Sequence, residues 1–201
     1  MKLTFTIWSI IALSFTGIGQ VIDYAMLDTA TVYHSLEEAL VSPRKVYRLD
    51  LSREKIKEIP DEIFLCINLN ELILDKNKLT VIPDKISTLK NLQRLSIASN
   101  KIEYWPDALC RLTRMRKLDL GDNNLGRISD DVGRMKKLET LILWGNIIGY
   151  YPATLTQLDQ LKTLDLLHNE MNQKEQTRIS NLLPEAEIQF STPCICTFDD
   201  E

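Results

Sequence analysis

The sequence is poor in the side chains on which most enzymes and metal sites depend. It contains two histidines, His34 and His168, in 201 residues. His168 lies close to Asp165 and Thr163, but no nucleophile stands in a strained turn and no oxyanion-stabilising motif accompanies them. We therefore expect no catalytic residues and no cofactor, and a hydrolase is the weakest alternative function.

Metal-ligating residues are also sparse and badly spaced. Asp119, Asp122, Asp165 and His168 are the candidates, and they belong to segments with one further predicted strand between them. At a spacing of ~4.8 Å between strands this separation is ~10 Å, too far for shared coordination of one ion. We expect no metal site.

Basic residues are not in excess. Lysine and arginine total 24 against 28 aspartates and glutamates, which gives a formal net charge of -4. Binding to nucleic acid requires a dense basic face, and the basic residues of this chain alternate with aspartates. The sequence therefore predicts no nucleic-acid partner.

One stretch alone is apolar enough to be an export or membrane segment. Residues 3–18 are mostly apolar, follow Lys2 and precede the small residue Gly19. The stretch falls short of the ~20 apolar residues of a spanning helix and contains several Ser and Thr. We interpret residues 1–19 as a signal peptide cleaved near Gly19, which predicts a secreted, periplasmic or cell-surface protein. The alternatives are an uncleaved membrane anchor, and a cytoplasmic protein in which this run is not an export signal.

Cysteine is scarce, with four residues, Cys66, Cys110, Cys194 and Cys196. Cys66 stands at an apolar position of the repeat described below, so we expect it to pack as a small hydrophobic residue. Cys194 and Cys196 supply too few thiols for a zinc site. A disulfide from this pair to Cys110, or to another molecule, is compatible with export, and the sequence does not decide between them.

A period of 23 residues organises most of the chain. Two of its copies read "VYRLDLSREKIKEIP" and "LNELILDKNKLTVIP", and the shared pattern is L-x-x-L-x-L-x-x-N-x-L-x-x-I-P, with positions numbered as places one to fifteen. Six copies begin at Val46, Leu69, Leu92, Met115, Leu138 and Leu161. Apolar residues at places four and six have the period of a strand with one buried face, so the pattern predicts one parallel sheet.

Asparagine recurs at place nine, directly after each predicted strand. A carboxamide carries both donor and acceptor groups and can satisfy turn backbone between neighbouring coils. The pattern predicts a structural asparagine ladder, Asn77, Asn100, Asn123, Asn146 and Asn169, whereas the first coil has Glu54 instead.

The segments between and beyond the repeats have helix signals. Prolines such as Pro60 and Pro83 suit the first turn of a short helix. Ser35 and Glu38 form a capping-box pattern within an N-terminal cap, residues 20–45, before the repeats at 46–171. Residues 172–190 form a C-terminal cap, with a helix ending near Leu183 and a strand one residue out of period. Residues 191–201 form a tail.

These residues resemble the leucine-rich-repeat proteins of the short class whose repeat contains Ile-Pro-x-x-Ile, and the exported bacterial members in particular. The resemblance implies an α/β solenoid, or horseshoe, with a concave parallel β-sheet, short helical or irregular convex segments and helical caps. It also implies a protein without catalytic activity that recognises another protein through the concave sheet. We expect a monomer. Because the same repeat class occurs in cytoplasmic Ras-linked proteins, an intracellular signalling scaffold is the alternative.

The stretch "LILWGNIIGYYP" suggests where a partner binds. Places four and six, with Ile148 and Tyr151, are predicted to be core, whereas Ile142 and Trp144 point outward beside Leu167. Exposed aromatic and aliphatic side chains on a rigid sheet are typical of a binding anchor. We predict a protein-binding patch whose members are Ile142, Trp144 and Leu167, flanked by Thr140, Asp119, Asp165 and His168. The alternative is that Trp144 folds over its neighbours or under the tail and only protects the last coils.

Two other aromatic positions have different interpretations. Trp105 stands at place fourteen, where the repeat has isoleucine, so we expect it in the core. Tyr104 and Tyr150 occupy matching places two coils apart and are predicted to lie on the rim as a second, weaker surface.

Overall fold

The computed structural model describes residues 22–194 of the chain. The predicted signal peptide, Cys196 and most of the predicted tail lie outside these residues. Within the described part, no helix is both long and apolar enough to cross a membrane.

Within residues 22–194, eight parallel strands form one sheet in chain order, which confirms the predicted solenoid. Their bounds are β1 (Val32–Tyr33), β2 (Arg48–Asp50), β3 (Glu71–Ile73), β4 (Arg94–Ser96), β5 (Lys117–Asp119), β6 (Thr140–Ile142), β7 (Thr163–Leu166) and β8 (Glu187–Phe190). From β2 to β7, equivalent places pair with each other, as Leu118 does with Leu141. Leu164 pairs with Ile188, so the last coil is one residue longer than the others, as the sequence predicts.

The chain returns along the convex side through short 3-10 helices. Five of them are Asp61–Leu65, Asp84–Thr88, Asp107–Arg111, Asp130–Arg134 and Ala153–Gln157. In four of them proline precedes the first helical residue as the N-cap, as Pro60 does with φ -60° and extended ψ, whereas Ser129 is the N-cap of Asp130–Arg134. The expected position inside the first turn was therefore wrong by one residue. The ring fixes φ near -65° and removes an N–H, and both properties suit this N-cap equally well.

The core is a continuous stack of the repeat's apolar places. In the stretch "LILWGNIIGYYP", Leu141, Leu143, Ile148 and Tyr151 are buried, which confirms the predicted division of that segment. Because each coil leaves an apolar edge that only the next coil covers, the core has no boundary between repeats.

The sequence also predicts correctly that Trp105 and Cys66 belong to the core. Trp105 is 7% exposed, so its interpretation as a core residue is confirmed. Cys66 and Cys110 are free thiols and fully buried. Burial raises the pKa of both thiols. The free thiol of Cys110 excludes its pairing with Cys194.

The asparagine ladder forms as predicted and links each coil to the one before it. Asn146 Nδ2 donates to the carbonyls of Leu120 and Leu143, both at 3.0 Å. Its Oδ1 accepts the N–H of Leu125 at 2.9 Å. The other four ladder residues repeat this arrangement. One carboxamide therefore satisfies backbone groups of two coils at once.

Place eight has a left-handed backbone in all six repeats, which the sequence did not reveal. The residues are Arg53, Lys76, Ser99, Asp122, Gly145 and His168, with φ between 51° and 65°. Glycine usually marks such a position, and only Gly145 does so here. A ladder asparagine directly after place eight holds four of the other residues, Lys76, Ser99, Asp122 and His168, in this conformation, whereas Arg53 is followed by Glu54.

Caps close both ends of the solenoid. Helix α1 (Leu36–Val41) begins at Ser35, whose hydroxyl accepts the N–H of Glu38. Helix α2 (Gln173–Leu182) begins at Asn172 and leads into β8. Half-buried Ile188 and Phe190 of β8 pack on the core, as expected for its last strand.

Residues 22–31, here called the strap, cross the first coils at the edge where the strands begin. The strap contains the 3-10 helix Tyr24–Thr29, of which Leu27 is fully buried. The Ile22 carbonyl accepts a hydrogen bond from Gln93 Nε2 at 2.8 Å. The Ala30 carbonyl accepts one from Arg48, in the strand next to β1. The strap thus spans several coils, a wider reach than a cap stacked on the first coil.

Candidate functional site

The concave face consists of three rows of side chains, from places three, five and seven of each coil. The strand register aligns Asp119 of β5 with Ile142 of β6, and Ile142 with Asp165 of β7. Place seven contributes Trp144 and Leu167 two residues further along their coils. The predicted patch is therefore contiguous, with an apolar centre between two aspartates.

Trp144 lies over the preceding coil. A Cβ built on Gly121 would lie 2.3 Å from the indole Nε1 and 2.5 Å from Cδ1. The side chain is half-buried, as are those of Ile142 and Leu167. Trp144 therefore packs on its neighbour, as the alternative interpretation requires, and still keeps part of its surface accessible to a partner.

Gly121→Ala is a direct test of this packing. The added methyl group would occupy the space of the indole, so we expect Trp144 to move off the sheet. The backbone itself tolerates alanine, since Ala98 stands at the same place one coil earlier. Tryptophan emission should shift to longer wavelength, and the free energy of unfolding should fall by about 1 kcal/mol, as for overpacking.

The matched control is Gly126→Ala, because a Cβ at Gly126 meets no atom within 4 Å. Its emission and stability should stay close to those of the unchanged protein. Identical spectra for the two variants would contradict the placement of the indole over Gly121.

The aspartates of the patch also have a structural role, which sequence reasoning missed. Asp119 Oδ1 accepts the N–H of Gly121, and Asp165 Oδ1 accepts the N–H of Leu167, both at 3.0 Å. Asp50 makes the same bond to Ser52 in the first repeat. The Leu-Asp-Leu sequence that recurs in the strands indicates this hydrogen bond, in which the aspartate at place five accepts the N–H of place seven.

Asp119 is the patch carboxylate with the clearest electrostatic perturbation. Burial raises its pKa, and the negative charges of Asp75 and Asp165 raise it further. The Gly121 N–H and Lys117 act in the opposite direction. The ionised carboxylate therefore lies in a partly dehydrated and negatively charged environment.

The remaining predicted patch residues lie at its margins. Thr140 is half-buried at place three of β6. His168 is exposed in the turn after β7, where its backbone N–H donates to Ser191 Oγ at 2.7 Å. Thr140 therefore belongs to the concave rows, whereas His168 lies at the edge where the strands end.

Buried ion pairs occupy the other end of the concave face. Glu71, 6% exposed, pairs with Arg48 and with Arg94, the latter at 3.2 Å. Asp28 of the strap accepts a hydrogen bond from Arg94 at 2.8 Å, which holds the pKa of Asp28 below its usual range. The ring of Tyr24 lies 5.0 Å from the guanidinium groups of Arg94 and Arg116. The strap and the first coils thus share one charge network.

The rim carries a second group of exposed aromatic side chains. Tyr104 is 78% exposed. One coil further, the guanidinium of Arg127 lies 4.7 Å from the ring centre of Tyr150, and Asp130 accepts hydrogen bonds from both side chains. This group is less apolar than the concave patch, because Arg127 and Asp130 interrupt its aromatic surface.

The described residues offer little support for catalysis. No group of three or more His, Cys, Asp or Glu side chains among residues 22–194 is placed to hold a metal ion. No hydrogen bond between the side chains of His168 and Asp165 occurs in this part of the chain. The concave face instead presents a half-buried apolar centre of Ile142, Trp144 and Leu167.

Similar folds occur among solved structures. A Leptospira interrogans leucine-rich-repeat protein is 31% identical, with a TM-score of 0.65, over 82% of this chain and 49% of its own. The Listeria monocytogenes internalin inlF is 23% identical, with a TM-score of 0.62, over 74% of this chain and 44% of its own. A third structure is the ectodomain of the Arabidopsis thaliana receptor kinase GASSHO1/SCHENGEN3, solved in complex with CASPARIAN STRIP INTEGRITY FACTOR 2. It is 27% identical, with a TM-score of 0.58, over 76% of this chain and 19% of its own. This chain spans about half the length of the first of these proteins. A search of curated proteins finds no significant match.

A family model decides the classification. The model described as leucine rich repeat matches residues 44–102, 67–125 and 113–171, and so spans all six predicted copies. Repeats of this kind are commonly protein–protein interaction modules, and their fold is generally a recognition scaffold without catalytic activity. Since the match covers most of the chain and the structure has the corresponding solenoid, the protein belongs to the leucine-rich-repeat family.

Proposed function

We propose that this protein is an exported, non-catalytic monomer that recognises another protein through the concave patch. The observation that carries the proposal is the half-buried indole of Trp144, which lies over Gly121 beside Ile142 and Leu167. A large aromatic side chain that is held in place before binding loses little conformational freedom in a complex.

The form of the sheet supports the same proposal. Parallel strands, buried ion pairs and the asparagine ladder hold the concave face rigid, so the patch is formed in advance. The Arabidopsis ectodomain, solved in complex with a factor, shares this fold. Export is supported by the composition of residues 1–19, in which an apolar run follows Lys2 and ends at small residues.

The binding test compares three forms of the purified chain as bait for extracellular and surface proteins of the source cells. These are the unchanged protein, Trp144→Ala and the matched control Tyr104→Ala, which removes an exposed aromatic side chain from the rim. We expect Trp144→Ala to weaken binding of the retained partner at least ~30-fold, the size of a hot-spot loss of about 2 kcal/mol. Tyr104→Ala should retain that partner, and both variants should melt within a few degrees of the unchanged protein.

Either of two outcomes would contradict the patch. Equal retention by Trp144→Ala would remove it as the binding site. Loss of the partner only in Tyr104→Ala would move recognition to the rim. Because all three forms are compared against the same proteins, non-specific retention appears equally in each.

Export has its own test. The full-length chain is expressed in a bacterial host, the cells are fractionated, and the mass and N-terminal residue of the product are measured. A product that begins near Gln20 and lies outside the cytoplasm is the expected result. A cytoplasmic product that retains Met1 would contradict export in that host and favour an intracellular signalling scaffold.

A further inference from the structure

The charges of the concave face divide into two groups. At place three, Arg48 and Arg94 pair with Glu71 and with Asp28 of the strap. These guanidinium groups are therefore already neutralised within the protein, and they contribute little attraction for an acidic partner.

The second group consists of carboxylates without a cationic partner. Among the described residues, no Lys, Arg or His nitrogen lies within 4.0 Å of the carboxylate oxygens of Asp75, Asp119 or Asp165. Asp119 and Asp165 each use Oδ1 to accept a backbone N–H, and no bond to the second oxygen occurs within residues 22–194. Lys117 is the nearby cation on the concave face, and it is exposed. The accessible charge around the apolar centre is therefore predominantly negative.

These carboxylates lie next to the apolar centre. Asp119 and Asp165 flank Ile142 on its two neighbouring strands. The indole of Trp144 lies over Gly121, whose N–H is bound by Asp119. The indole atoms nearest to Gly121 are Nε1 and Cδ1, so a cation that reached Asp119 would also lie close to the indole, whose faces attract cations.

The environment of Asp119 is unfavourable for the protein alone. The raised pKa of Asp119 means that folding favours the protonated carboxyl. The group therefore stabilises the fold at pH values below its pKa in the unfolded chain. This contribution is lost as the pH rises through its pKa in the folded protein. Ionisation of Asp119 therefore opposes folding. A partner's positive charge would offset both the cost of this dehydration and the repulsion from Asp75 and Asp165.

We propose that the concave patch receives a cationic segment of a partner protein, with a lysine or arginine side chain between Asp119 and the indole of Trp144. An adjacent apolar side chain of the same segment packs over Ile142 and Leu167. This inference rests on the proposed function and adds the chemical class of the partner. Complementary charge fixes the position of the segment, while the apolar contacts exclude water from the ion pair.

The first experiment identifies the preferred segment without a known partner. A displayed library of random twelve-residue peptides is selected on the unchanged protein and depleted on Trp144→Ala. We expect the Trp144-dependent peptides to carry net positive charge, with lysine or arginine near an aromatic or aliphatic residue. Net neutral or acidic peptides would overturn the charge inference and leave the proposed function intact. A selection without any Trp144-dependent peptide would contradict both.

The second experiment separates a recognition role of Asp119 from a structural one. Affinity of one selected peptide is measured for the unchanged protein, Asp119→Asn and the control Asp159→Asn, which removes an exposed charge on the convex side. We expect Asp119→Asn to bind at least tenfold more weakly and to melt at the same or a higher temperature, since asparagine still accepts the Gly121 N–H. Unchanged affinity, or weaker binding that is accompanied by a lower melting temperature, would overturn the role of Asp119.

Discussion

Asn146→Ala should destabilise the protein by about 3 kcal/mol. Asn146 is 3% exposed and makes four hydrogen bonds to backbone groups through one carboxamide. Removal leaves the buried N–H of Leu125 without its partner. The carbonyls of Leu120 and Leu143 each lose one of two asparagine donors and keep Asn123 and Asn169 respectively. A buried group left unsatisfied costs about 1–3 kcal/mol. Because these groups belong to two coils, the cost falls on the contact between repeats.

Urea unfolding followed by circular dichroism measures this loss. In a thermal melt, it corresponds to a lower melting temperature by roughly 10 °C for a protein of this size. The matched control is Asn124→Ala in the preceding coil, whose side chain is exposed and makes no hydrogen bond among residues 22–194. We expect the control to change the free energy of unfolding by less than about 0.5 kcal/mol. Equal losses for the two variants would show that the ladder contributes no specific stability.

The ladder and the sheet could be predicted from the sequence because each repeat encodes the same contacts. A leucine at place four pairs with place four of the next coil, so one alignment of the segments fixes the whole register. The same alignment also holds for the last coil, where the spacing of Ile188 and Phe190 predicts correctly that this coil is one residue longer than the others. Periodicity replaces the long-range information that a single non-repeating sequence lacks.

The strap could not be predicted because its contacts follow no period. Tyr24 meets Arg94 and Arg116 of two different coils, and Asp28 meets Arg48 and Arg94. Each contact depends on the path of a short segment that has no repeat to align with. A cap helix after Ser35 was visible from its local sequence, whereas the route before it depended on tertiary contacts.

Only part of the candidate site could be predicted from the sequence, because only part of it follows the repeat. Its place in the rows follows from the period, so Ile142 and Trp144 were correctly expected on the concave face. The direction of the indole depends on Gly121, which lies 23 positions earlier and has no local significance. The bonds of Asp119 and Asp165 to backbone N–H groups depend on strand geometry, and the residue types alone suggested only surface charge.

Glu71→Gln should cost about 3 kcal/mol and should release the strap. Glu71 is almost fully buried, and it pairs with two guanidinium groups whose side chains are only 16% and 17% exposed. Removal of one member of a buried ion pair is strongly destabilising, because the remaining charges lose their compensation. Asp28 stays as a counter-ion, but its side chain is 70% exposed, so solvent weakens its attraction for Arg48 and Arg94.

Urea unfolding gives the total loss, and hydrogen exchange of residues 22–31 reports on the strap. We expect faster exchange there than in the unchanged protein, with the later coils unaffected. Glu62→Gln is the control, because Glu62 is exposed and forms no ion pair within the described residues. Salt then distinguishes a buried network from a surface one. At about 1 M salt the Debye length is ~3 Å, so the attraction within exposed ion pairs is largely screened, whereas buried pairs keep most of their energy. Disappearance of the difference at high salt would contradict a buried network, and its persistence would locate the energy in the contact of Glu71 with Arg48 and Arg94.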